Sequence, residues 1–147
     1  MKSIFDEETY QEVLDRLSKL TPDSERQWGK MTVAQMLWHC QLPIRIAIKN
    51  KNPEGKGNPL IRLLFKKSLY NDRPWRKNLP TVPAAKTREE KDFDQEMNRL
   101  KEMVKELHQL RERTDWNPHP IFGEFTPDQW GKLEYKHLDH HLRQFGV

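Results

Sequence analysis

The feature that most constrains this chain is the spacing of its apolar residues, which recur three and four positions apart along most of its length. Tyr10, Val13, Leu14, Leu17 and Leu20 form one such stripe, with Asp6 as N-cap and Thr21-Pro22 as terminator. This predicts a first helix from about Glu7 to Leu20. Thr32 followed by Gln35 is a capping-box pattern, and Val33, Met36, Leu37, Cys40, Ala47 and Ile48 carry a second helix to about Asn50. Pro43 interrupts it, leaving the carbonyl of His39 without its usual N–H partner. Thr87 with Glu90 repeats the capping pattern ahead of Phe93, Met97, Leu100, Val104, Leu107 and Leu110, a helical stripe reaching about Arg113. Thr126-Pro127-Asp128-Gln129 combines an N-cap, a proline at the first helical position and a glutamine three after the cap, opening a last helix to about Phe145. Strand signals are missing, since the only candidate, Leu79 to Val82, is broken by Pro80 and bounded by Pro83.

The expected fold is therefore all-α, an up-and-down four-helix bundle occupying residues 1–147 as a single domain. Between the second and third long helices lies an insertion: a Lys/Asn/Gly/Pro loop from Asn50 to Asn58, a short basic amphipathic helix from Leu60 to Tyr70, and a Pro-rich connection from Arg73 to Lys86. It is expected to flap over one end of the bundle. From Arg45 to Lys77 there are ten Lys/Arg against Glu54 and Asp72, a net charge of +8 that leaves the rest of the +4 chain at −4. Such a segment can meet nucleic acid, anionic lipid or an acidic small molecule, although a solvated charged loop is the commoner outcome. No recognised nucleic-acid motif accompanies it, so neither nucleic acid nor membrane is expected as a partner. With no apolar run long enough for a span or a signal peptide, and a lone Cys40 placed on an apolar stripe, the expected compartment is the cytoplasm.

Any metal site here must rest on His, Asp or Glu. At about 100° per residue, Trp130, His137 and His141 share the inward face of the last helix, while Lys132, Lys136, Asp139 and Arg143 fall outside. Residues four apart stack one turn above the other, a spacing at which two imidazoles can bind one ion. His39 lies at the edge of the apolar face of its own helix, where it serves either as a third ligand or as a partly buried, hydrogen-bonded histidine. Glu134, one turn before His137, is open to four roles: a fourth ligand, an acceptor for a ligand imidazole, a base, or, the favoured one, a rim carboxylate. Gln144 can bond an imidazole N–H or a ligand, or cap the helix, and His140 is expected to face solvent or a loop. His108 and His119 have no partner at ligand spacing. Neither His-Glu-x-x-His nor His-x-x-Glu-His is present, which excludes those metalloprotease classes.

The stretch Met31-Thr-Val-Ala-Gln-Met-Leu-Trp-His39 and the ending His137-Leu-Asp-His-His141-Leu-Arg-Gln144 resemble the two signature regions of the DinB/YfiT-like metalloenzyme superfamily, in particular a branch described only as a domain of unknown function. Trp28-Gly29-Lys30-Met31 and Leu142-Arg143-Gln144-Phe145-Gly146 carry the resemblance most specifically. It implies nickel or zinc held by His39, His137 and His141, a homodimer, and an activity on a small molecule, either a transferase using a low-molecular-weight thiol or a hydrolase. One departure is that many relatives read His-Arg-Gly-Gln where this chain has His141-Leu-Arg-Gln144. The alternative reading is a non-catalytic metal- or ligand-binding stress-response module.

Overall fold

The computed structural model describes residues 1–49, 59–81 and 83–147. The loop expected at Asn50 to Asn58 lies outside the described residues, as does Val82 of the strand candidate. Five α-helices follow in order: α1 Glu7–Ser18, α2 Val33–Lys49, α3 Pro59–Phe65, α4 Phe93–Gln109 and α5 Pro127–Gln144. Short 3-10 turns occupy Lys66–Leu69 and Pro83–Ala85. Among the described residues there is no strand, only an isolated antiparallel bridge between His119 and Gly123. The fold is all-α.

Two of the expected helix starts form as read. Thr32 Oγ1 accepts from the Gln35 N–H at 3.2 Å while Gln35 Oε1 accepts from the Thr32 N–H at 3.0 Å. Thr126 and Gln129 do the same for α5, with Pro127 at its first position. The start of α4 differs from expectation: Thr87 Oγ1 accepts from the Glu89 N–H in a local turn, and the cap is Asp92, whose carboxylate accepts from the Gln95 N–H at 2.7 Å. Asp6 occupies the N-cap position of α1 but uses its carboxylate on the Ser3 N–H instead. The predicted helix from Leu60 to Tyr70 is shorter than expected, with α3 tightening into the 3-10 turn after Phe65.

Burial of the periodic faces builds one core. α2 packs most extensively on α4 and also against α5, and α1 lies against α4 and α5. Val13 and Leu17 of α1, Met36, Leu37, Cys40 and Ile44 of α2, Leu100, Val104 and Leu107 of α4, and Trp130, Leu138 and Leu142 of α5 meet inside. α2 continues through Pro43. Gly131 lets the N-terminal segment cross α5 closely: a Cβ there would sit 2.2 Å from Ser3 Oγ, and Ile4 N–H donates to the Gly131 carbonyl at 3.1 Å. His108, buried on α4, holds the same segment through Ile4 O at 2.9 Å and the Glu7 carboxylate at 3.0 Å, with Tyr10 stacked on its ring.

The insertion docks through a residue expected on the outside. Lys136 is 7% exposed, and its ammonium donates to Ser68 O, Asn71 O and Asn71 Oδ1 at 2.7–2.8 Å. The wheel sets it among the outward residues of α5, but the insertion covers that side of α5 as well. Trp75 lies beneath the same ammonium and donates its indole N–H to Ser68 O.

Candidate metal centre

α2 and α5 bring His39, His137 and His141 together, with one ring nitrogen of each within 4.8 Å of the others. Ring centroids are 4.7–5.0 Å apart in all three pairs. His39 is 6% and His141 8% exposed.

Hydrogen bonds set the tautomers. His39 Nδ1–H donates to the Ala85 carbonyl at 2.8 Å, so the lone pair of this ring is on Nε2. His141 Nδ1–H donates to Gln144 Oε1 at 2.8 Å, and the amide of Gln144 in turn donates to the Trp28 carbonyl at 2.8 Å. Its lone pair is likewise on Nε2. His137 Nε2 faces His39 Nε2 at 3.2 Å, and its Nδ1 is buried without a hydrogen-bond partner among the described residues.

The relay through Gln144 depends on Gly29. With φ at +82° this residue is in the left-handed region, and a Cβ on it would lie 2.5 Å from Gln144 Nε2. Any side chain there would both strain the backbone and push the amide off His141. Gln27 N–H closes the arrangement by donating to the Gln144 backbone carbonyl at 2.7 Å.

Electrostatics keep the three rings neutral, the state in which imidazole binds metal. Burial lowers the pKa of His39, opposed by the Ala85 carbonyl. Burial lowers that of His137 well below the ordinary value, helped by the neighbouring imidazoles of His141, His39 and His140. Burial takes His141 down to about 3, with Gln144 opposing. The donor set suits zinc, nickel or a similar divalent ion: three imidazoles, two with their second nitrogen anchored to an acceptor.

Glu134 is not at the rim. It is fully buried, both carboxyl oxygens lack a hydrogen-bond partner among the described residues, and burial raises its pKa to about 8. It contributes no atom to the cluster of converging nitrogens. The wheel put Glu134 at the flank of the inward face, but the side chain lies within the core that α5 shares with α2, near Cys40. His140, expected toward solvent or a loop, is half-buried between Trp28 and Trp75, each with its ring centroid 5.7 Å away. Trp75 also sits edge-on to His137 at 6.0 Å. His119 lies apart from the triad, packed on Trp130, Phe122 and Phe125, where its Nδ1 accepts from the Ile121 and Phe122 N–H groups.

Two parts of the site had no signal in the sequence, the carbonyls of Ala85 and Trp28, because a backbone acceptor has no residue type to betray it. Gln144 did have one, its place beside His141 on the wheel.

Residues 4–146 match the family model described as Protein of unknown function (DUF1569). Comparisons with curated proteins and with solved structures find no match. Since the match spans nearly the whole chain, helices and histidine cluster included, this protein belongs to the DUF1569 family.

Proposed function

We propose that this protein is a divalent-metal-dependent enzyme of DinB-like type, in which His39, His137 and His141 hold zinc or nickel for a transferase reaction with a low-molecular-weight thiol, or a hydrolysis, on a small molecule. The observation that carries the reading is the convergence of the three imidazoles with two of their Nδ1–H groups committed elsewhere. An up-and-down arrangement of α1, α2, α4 and α5, a homodimer and a cytoplasmic location belong to the same proposal. It is supported by the packing of α2 on α4 and α5 and of α1 on both.

The chemistry such an ion supplies is a lowered pKa for a water or thiol at its open positions, giving a nucleophile near neutral pH. The chain's own part is orientation and proton placement. Ala85 O and Gln144 Oε1 hold two rings in the tautomer that offers Nε2. Glu134 keeps a proton at neutral pH and gives it up only near pH 8. Trp28, Trp75 and His140 form an aromatic wall beside His137 and His141, and the exposed Lys77, 4.7 Å over the Trp28 ring, offers a cation to an anionic substrate group. The deep burial of His39 and His141 favours a second reading, a non-catalytic metal-binding module.

The test is elemental mass spectrometry of tag-free native protein beside His137→Ala/His141→Ala and Gln144→Leu variants. About one equivalent of metal, lost in the histidine variant, is the expected result. Gln144→Leu should weaken metal affinity roughly 10–100-fold. No metal after incubation with zinc or nickel overturns the reading. Saturable turnover with a thiol and an electrophilic acceptor, or with a hydrolysable substrate, separates enzyme from binding module.

A further inference from the structure

α3 is built inside out. An ordinary surface helix turns its apolar stripe to the core and its charges to water. Here the cations reach inward: the Arg62 guanidinium runs along Gly123, where an added Cβ would lie 3.2 Å from Nη1. Lys66 donates to the Glu124 carbonyl and sits 4.7 Å over the Phe125 ring. Leu64 lies about 160° round α3 from Arg62, and Lys66 belongs to the 3-10 turn that follows. Leu63, Leu64 and Phe65 are all exposed, Leu63 by 80%, and no side chain of α3 is buried. Three adjacent large apolar side chains pointing to water cost free energy unless something covers them.

The surrounding charge says what that is. Residues 59–81 carry Arg62, Lys66, Lys67, Arg73, Arg76 and Lys77 against Asp72 alone, and Asp72 already pairs with the Met1 amine at 3.2 Å. The bond from Trp75 Nε1–H to Ser68 O folds the exposed Arg73 and Arg76 back beside the turn that continues α3. Two copies of this chain meeting face to face through α3 would set these cations against one another. A bilayer surface with anionic headgroups takes the leucines and phenylalanine at its acyl boundary and the exposed Lys67, Arg73 and Arg76 at its phosphates. From the exposed α3 face and its cationic border we infer that this protein docks peripherally on anionic lipid through Leu63, Leu64 and Phe65. No helix among the described residues is long and apolar enough to cross a membrane. Such docking departs from the expectation that no membrane takes part, and it stands independently of the metal.

The experiment is co-sedimentation of the full chain with vesicles of phosphatidylcholine alone and with phosphatidylglycerol added to about 30%. Binding only to the anionic vesicles, weakened by salt, is expected. Leu63→Ser/Leu64→Ser should lower the partition coefficient at least about tenfold, with an unchanged circular dichroism spectrum because both side chains are already exposed. Leu63→Glu, a single replacement, should act in the same direction. Failure to bind anionic vesicles overturns the proposal. So does binding indifferent to the leucines, which would be charge alone. A dimer by light scattering that dissociates in Leu63→Ser/Leu64→Ser also overturns it, because a second copy would then cover the face.

Discussion

Glu134 and Gln144 show how much depends on single side chains of α5. Gln144 spends both ends of its amide, one on His141 and one on Trp28 O. Glu134 spends neither oxygen on a described residue, and burial alone holds its proton. A carboxyl whose folded pKa lies near 8 against an ordinary 4.5 destabilises the fold as pH rises through that window, because the unfolded chain ionises first. Glu134→Gln removes the ionisation at nearly constant shape. It is expected to be more stable than the parent at pH 8 by on the order of 1–3 kcal/mol and close to it at pH 5, as read by urea unfolding at the two pH values. An unchanged difference across that range would mean that the carboxyl is solvated after all.

At the scale of elements, the insertion is fastened by a few directional bonds together with Leu69, Tyr70 and Trp75, which pack half-buried against the core. Lys136 satisfies three oxygens of the turn after α3, and Ala85 O anchors the Pro-rich connection to His39. Lys136→Met keeps the length of the side chain but removes the shared donor, leaving Ser68 O to the Trp75 indole and Asn71 Oδ1 to the Arg73 N–H alone. The expected cost is on the order of 1–3 kcal/mol, together with faster limited proteolysis within residues 59–86. Thermal unfolding and mapping of the first cleavage site check both parts. The capping boxes of α2 and α5 formed as their residues suggest, whereas two competing caps lie within six residues of the start of α4. Thr87 satisfies a turn and Asp92 satisfies the helix, because the apolar stripe begins at Phe93, half-buried against the core.

Across the whole molecule, two opposed sets of titrating groups shape stability. Folding lowers the pKa of His39, His119, His137, His140 and His141, with burial the leading cause each time. Their contribution is present above the ordinary 6.5 and is lost as pH falls, down to about 4 for His119 and about 3 for His141. Glu134 acts the other way, its contribution being lost as pH rises from 4.5 to about 8. Between 4.5 and 6.5 the histidines outnumber it, and from 6.5 to about 8 it is the leading group, so metal-free protein should be most stable close to pH 6.5. Melting temperatures of chelator-treated protein from about pH 4 to about pH 9 test this, and a monotonic curve would contradict it.

Periodicity and caps are local properties, decided within four residues of chain, and so the four long helices and the stacking of His137 on His141 could be read directly from the sequence. Residue type and helix position leave His39 open between a ligand and a hydrogen-bonded histidine; only the resemblance of the stretches ending at His39 and beginning at His137 joins it to the pair, and packing of α2 on α5 brings the three rings together. What tertiary structure alone decided concerns partners far apart in the chain. The carbonyl that orients His39 is 46 residues away, and the one behind Gln144 is 116 away. A helical wheel has an inside and an outside only until a further element covers the outside, which is what buries Lys136. The same limit applies to α3: the Glu124 carbonyl and the Phe125 ring take Lys66 just beyond it, Arg62 lies along Gly123, and its leucines are left to water.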